Sequence, residues 1–327
     1  TANEFHGQKL NRPTRARALI LARARRGDPA ARADLIQLLK SETIPAWQAA
    51  MCNMLDRWAA DPDATRALLD QLRNPSPLVR EAAIRTLTHL VRQNREDVAK
   101  SLRPLLDDPL RSVRVAAAWA LCATLDLNTR AGRELCHMLD LNADQPTGRM
   151  QLSQFAYLRG DSAAAIKQMR KAIAWDPNSP PFHHDLAILL SATGDNRGAL
   201  QSLLEAVRLA PNEAEYHYKL ALAWNEAGEV EKSAASLETT VRLDPANGRA
   251  WYNLGLARNA LQQPQEAITC LLKGEAADPA DSAIPYARAT ILARFGRREE
   301  AIAAATRALQ LRQDFPEAID LIRSLGR

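Results

Sequence analysis

The residues best equipped for chemistry in this chain of 327 residues are few and scattered. Cys136-His137 is the tail of a haem-attachment motif, Cys-x-x-Cys-His, but the place of the first Cys is held by Arg133, so no covalent haem can form there. His183 and His184 are adjacent, and on a helix neighbouring side chains diverge by about 100°, which is no chelating geometry. Acidic pairs such as Asp107-Asp108 and Glu299-Glu300 fall where helices are expected to end, so solvated termini account for them. No Gly-rich phosphate loop, Gly-x-Ser-x-Gly elbow or His-Glu-x-x-His zinc helix occurs. Cys52, Cys122, Cys136 and Cys270 lie far apart among apolar residues and read as buried free thiols, which leaves the compartment open. What does recur is Tyr218, Tyr252 and Tyr286, evenly spaced by 34 residues. Their rings offer apolar area and their hydroxyls a free hydrogen-bonding tip, which is the chemistry of recognition.

That spacing belongs to the elements that carry the tyrosines. Prolines fall at Pro177, Pro211, Pro245 and Pro279, and glycines at Gly160, Gly194, Gly228 and Gly296, with Gln262 filling the gap. Small residues recur at Ala165, Ala199, Ser233, Ala267 and Ala301, and leucines at Leu186, Leu220 and Leu254. One period shared by four columns predicts a repeated helical hairpin. The first helix ends at a Gly able to take the left-handed conformation. The second carries its small residue where the two cross, and stops at Pro, which cannot continue a helix. A single hairpin cannot cover its own apolar face, so such units must stack. The composition agrees, with abundant Ala and Leu, only 5% aromatics and no long β-branched runs.

Residues 146–315 resemble the tetratricopeptide repeat (TPR) family over five repeats. The pattern is clearest at Trp251, Leu254-Gly255, Ala267, Leu271 and Pro279, and the terminal repeats are degenerate. Phe315–Leu325 reads as a capping helix. The resemblance places function on the concave face lined by the first helices. There the fifth repeat position holds His184, Tyr218, Tyr252 and Tyr286, the twelfth holds Tyr157, Ser191, Asn225 and Asn259, and the sixth holds Lys219 and Asn253. Two readings stand side by side. Either Asn225, Asn253 and Asn259 grip the backbone amides of a bound peptide along a tyrosine ladder, or the tyrosines only pack between adjacent helices. The family members that clamp an acidic C-terminal tail use Lys and Asn. Here Tyr stands for the Lys, and Ile188, Leu222 or Leu256 for the Asn, so that ligand is not expected.

The earlier part repeats more loosely. Pro77-Leu-Val-Arg-Glu-Ala-Ala-Ile-Arg-Thr-Leu87 and Arg111-Ser-Val-Arg-Val-Ala-Ala-Ala-Trp-Ala-Leu121 align at a shift of 34, and Ile44–Leu55 fits with one residue less. The Asp/Asn-Pro, Val-Arg, Ala-Ala signature is similar to bacterial HEAT-like repeats, three to four helix pairs over residues 13–142. The expected fold is therefore all-α, a right-handed α-α superhelix. It comprises a HEAT-like array (13–142), a short polar link at Asp140–Thr147, then about five TPR hairpins and a cap (146–327).

The order HEAT-like then TPR also resembles the C-terminal region of bacterial multihaem c-type cytochromes. The likeness is carried by Val113–Leu121, Asn142–Pro146 and Trp251–Leu256. It implies the docking part of an exported electron-transfer protein whose c-type haem sites lie upstream, hence a periplasmic or other extracytoplasmic location; without it the expectation is cytoplasmic. The chain itself carries no cofactor motif. It has no initiator Met, no apolar signal-peptide core and no run long enough to span a membrane, and reads as a mature form or a piece of something longer. Residues 1–26 hold seven Lys/Arg against one acid, which accounts for the whole net charge of +5. Arg15, Arg17, Arg23, Arg25 and Arg26 could bind an anion or nucleic acid, but no aromatics are interleaved for base stacking, and a solvated cap is the plainer reading. The expectation is a non-catalytic scaffold that binds a protein or peptide in its TPR groove.

Overall fold

The computed structural model describes residues 13–326. Among these there is no strand, and nineteen α-helices follow one another. The chain divides into two compact units, Thr1–Asp161 and Ser162–Arg327.

In the first unit the helices are α1 (Pro13–Arg25), α2 (Ala31–Ser41), α3 (Pro45–Met54), α4 (Pro62–Gln71), α5 (Pro77–Arg92), α6 (Glu96–Leu102), α7 (Arg111–Ala120), α8 (Arg130–Asn142) and α9 (Pro146–Leu158). Prolines open α3, α4, α5 and α9, where the missing N–H has no intrahelical partner to lose. The Asp61 carboxylate caps α4 by accepting from the amides of Asp63 and Ala64. Helices α3, α5 and α7 pack side by side, and α4 and α6 each pack on α5. Their core is aliphatic, with Leu35, Met51, Leu55, Leu68, Ile84, Leu87 and Leu102 fully buried.

The Val-Arg signature has a structural meaning. Arg80 donates two hydrogen bonds to Asp108, at 2.8 and 3.0 Å, and its Nη1 donates to the carbonyls of Asn74 and Pro75. Arg114, one period later, does the same with Glu134 and with the carbonyls of Asp108 and Pro109. Each arginine thus fastens the break before its own helix to an acid further along the chain, and Arg114 is among the most buried residues of the unit.

The link expected at residues 140–147 is only a turn, and the division between the units falls after α9, at 161/162. The reason is packing: Leu152, Phe155 and Leu158 of α9 lie against the cluster of Ala118, Cys122, Leu135 and Leu139, and Arg159 donates to the carbonyls of Cys122 and Leu125. The two helices of the first expected TPR hairpin therefore fall in different units.

The second unit begins with α10 (Ser162–Trp175). Four hairpins follow: α11 (Pro180–Ala192) with α12 (Asn196–Leu209), α13 (Ala214–Glu226) with α14 (Val230–Leu243), α15 (Gly248–Ala260) with α16 (Pro264–Ala277), and α17 (Ala283–Arg294) with α18 (Arg298–Leu311). Helix α19 (Pro316–Gly326) then packs on α18. The hairpin turns sit at Gly194, Gly228, Gln262 and Gly296, all with positive φ, so Gln262 adopts the strained conformation that its glycine counterparts take freely. The small-residue column Ala199, Ser233, Ala267 and Ala301 is buried, and the Ser233 hydroxyl is satisfied by the Ala221 carbonyl at 2.8 Å. His183 and His217 are tied by Nε2 to the carbonyls of Pro177 and Pro211, both at 2.9 Å, and Trp251 donates to Pro245 in the same way. These rings brace the turn before their helix, which explains why the position accepts His or Trp.

Candidate partner-binding groove

A groove on a stack of hairpins must be built from residues that share a helix face. Positions i, i+4 and i+7 do so. On α13 these are Tyr218, Leu222 and Asn225; on α15, Tyr252, Leu256 and Asn259; on α11, His184, Ile188 and Ser191. The columns line up because neighbouring first helices touch. The Asn253 amide donates to the Tyr218 hydroxyl at 3.1 Å, and the His184 ring lies 5.1 Å from that of Tyr216.

The tyrosines are half-buried packing residues. Tyr218 rests on the cluster that includes Ala221, Ala250 and Leu254, and Tyr252 on that of Ile268, Ile284 and Ala287. Tyr286 is set against Phe315, with ring centroids 4.7 Å apart, so the capping segment covers this end of the ladder. The rings thus pack against the core on one side while keeping part of their surface toward solvent. His184 is similarly enclosed, with Nδ1 3.4 Å from Asp185 and Nε2 buried without a hydrogen-bond partner among the described residues. Burial also pushes the Tyr216 phenol up, with Glu213 and Asp185 adding to it. Lys219 is tied to Glu215 at 3.3 Å and stands 6.0 Å from the Tyr218 ring centroid. Tyr157 belongs to the first unit and is exposed.

What remains uncovered is the column between them. Ile188 and Leu256 are 43% and 38% exposed, high values for large aliphatic residues on well-packed helices, and Leu222 between them is half-exposed. Asn225 is exposed and Asn259 half-exposed, neither with a side-chain partner among the described residues. The sequence reading used Ile188, Leu222 and Leu256 only as replacements for a clamp; their own 34-residue spacing was the signal for an apolar strip.

Other features add little to this site. The described cysteines are free, with Cys52, Cys122 and Cys270 buried; burial pushes the Cys52 thiol up to about 12, far from a reactive thiolate. No cluster of three or more His, Cys, Asp or Glu able to hold a metal occurs among the described residues. No described helix is long and apolar enough to cross a membrane. In the basic N-terminal segment Arg17 is paired with Glu42 at 2.8 Å and stacked over Trp47, and Arg23 is paired with Asp28 and Asp34. That leaves Arg25 and Arg26 exposed; the Arg15 side chain lies outside the described residues. A cavity of about 630 Å³ in the first unit is lined by Arg85, Arg111, Trp119, Met138 and Leu141, but Arg85 is already paired with Glu81.

The architecture is that of a helical-repeat protein. More specifically, the chain carries HEAT repeats at residues 33–122 and 65–151, and tetratricopeptide repeats at 156–223 and 226–282. No curated protein matches the sequence. Among solved structures, the chain is similar to YrrB, described as a TPR protein with an unusual peptide-binding site: 14% identity over 57% of this chain and 97% of that one, TM-score 0.51. It is also similar to a double mutant of MamA from RS-1, at 22% identity over 52% of this chain and 96% of that one, TM-score 0.50. A tetratricopeptide repeat protein from Parabacteroides merdae aligns at 17% identity over 55% and 72% of the two chains, TM-score 0.50. At these identities the likeness is one of fold.

Proposed function

We propose that this chain is a non-catalytic docking scaffold that binds a segment of a partner protein along the first helices of its second unit. The observation that carries the reading is the uncovered column Ile188–Leu222–Leu256, flanked by the unengaged amides of Asn225 and Asn259. Exposed aliphatic side chains in line with free amides offer a partner both apolar burial and hydrogen bonds to its backbone. YrrB shows that a chain of this fold can carry a peptide-binding site. The tyrosines hold the helices that present the strip, so they are positioning residues within it.

Site-specific photo-crosslinking tests this. A photoreactive amino acid replaces Leu256 in one variant and Leu272, which is 49% exposed on the second helix of the same hairpin, in another. In cells of the source organism, a discrete adduct from position 256 that is absent from position 272 is expected. Equal labelling at both, or none at 256, overturns the groove.

A further inference from the structure

The cavity of about 630 Å³ lies wholly in the first unit, away from the groove. Its volume falls in the range of small-molecule sites, about 300–1,000 Å³. Four helices converge on it. Helix α7 packs on both α5 and α8, and α8 packs on α9. The walls come from Glu81 and Arg85 of α5, Arg111 and Trp119 of α7, Met138 and Leu141 of α8, and Gln151 of α9. These are unlike positions closing on one small volume, whereas an extended peptide needs like positions repeated along successive helices.

The lining is apolar in its body and cationic at one edge. Val115, Trp119 and Met138 rest by one side on the buried cluster of Ala118, Leu135 and Leu139, and line the cavity with the rest of their surface. Leu141 is 61% exposed, well above Ile188 or Leu256 in the groove, so this wall has apolar area still to bury. The one acid in the lining, Glu81, is paired with Arg85. Arg111 has no side-chain partner among the described residues, and the first turn of α7 brings no acid to neutralise it. The uncompensated charge of the cavity is therefore positive. Asn142 donates to the Gln151 Oε1 at 2.9 Å, which turns one carboxamide inward on the other and leaves Gln151 Nε2 as a neutral donor. Along the axis of α7, Arg111 and Trp119 stand about 12 Å apart. An extended alkyl chain of about eight carbons covers that span. We propose that this cavity binds a small amphiphilic carboxylate, its anionic head on Arg111 and its apolar body along Trp119, Met138 and Leu141. A cationic head would meet Arg111 with like charge, and a neutral one would leave the guanidinium unused.

Isothermal titration calorimetry on the full chain tests this with octanoate, octanol and octylamine, which share a chain and differ in head charge. Octanoate is expected to bind at least about tenfold more tightly than octanol, and octylamine more weakly than either. Arg111→Gln should bring octanoate down to the affinity of octanol without changing octanol itself. Leu141→Asp should abolish binding of both, and Leu78→Asp, exposed elsewhere on the same unit, should leave both as they were. Circular dichroism checks that all three variants keep their helicity. Equal affinity for the three heads, or octanoate binding that ignores Arg111→Gln and Leu141→Asp, overturns the proposal, as does no binding up to about 1 mM. A peptide ending in a free Leu carboxylate is the remaining arm: if it shows this pattern and octanoate does not, the small-molecule assignment falls. None of these outcomes touches the groove of the second unit, which the crosslinking experiment tests by itself.

Discussion

Breaking the Arg80–Asp108 pair should loosen the first unit far more than loss of a surface ion pair would. The two side chains are 13% and 5% exposed, and the carboxylate takes two bonds from the guanidinium while its Oδ1 also accepts from the Leu110 amide at 2.9 Å. An exposed pair contributes about 0–1 kcal/mol, whereas removing one partner of a buried pair costs about 3–5 kcal/mol because the other charge is stranded. Asp108→Ala leaves Arg80 its two backbone carbonyls, Asn74 and Pro75, which puts the expected cost at the low end, about 3 kcal/mol. Arg80→Met leaves the carboxylate only the Leu110 amide, for a similar cost of about 3 kcal/mol. The double variant strands neither charge and should cost about as much as one single, a coupling of about 2–3 kcal/mol. Native-state hydrogen exchange reads this locally, since a loss of about 3 kcal/mol speeds exchange roughly 150-fold in peptides from α5 and α7. Additive single variants, with coupling under about 0.5 kcal/mol, would refute the view that this buried arginine fastens one repeat to the next.

Other perturbations test the rest of the fold. Gln262→Gly should stabilise the second unit by about 1 kcal/mol by relieving a left-handed residue, whereas Gly194→Ala should destabilise by about as much although open space surrounds it; thermal melts give both signs. Gly255→Val should be the more damaging glycine substitution, by about 2 kcal/mol or more, because a Cβ there meets Leu271 Cγ at 2.7 Å; a urea melt no different from the parent's would contradict that contact. Glu134 is held below its ordinary value near 4.5 by the Arg114 hydrogen bonds, and Glu42 by the Ile44 amide and then Arg17. Depressed carboxylates stabilise fully above their unfolded pKa and lose that contribution as pH falls through the folded one. The melting temperature should therefore drop as pH falls below about 4.5, and Glu134→Gln should flatten that drop.

The sequence by itself determined the helical hairpins and their stacking. A period of 34 residues written in Pro, Gly, small and Leu columns leaves one way to bury the apolar face of each unit. Even the exception was legible, because Gln262 stands where every counterpart is glycine and takes the same left-handed turn. Periodicity gives the helix face a residue occupies, but not which of its neighbours cover it. Tyr218, Tyr252 and Tyr286 stand in register whether they line a groove or fill a seam; only the packed structure shows Tyr218 and Tyr252 against the clusters that hold Leu254 and Ile284, Tyr286 against Phe315, and Leu222 and Leu256 partly exposed. The same holds for Arg80 and Arg114, which look like surface charges until Asp108 and Glu134 arrive from 28 and 20 residues away. Burial and pairing depend on contacts distant in sequence, so tertiary structure alone decides them.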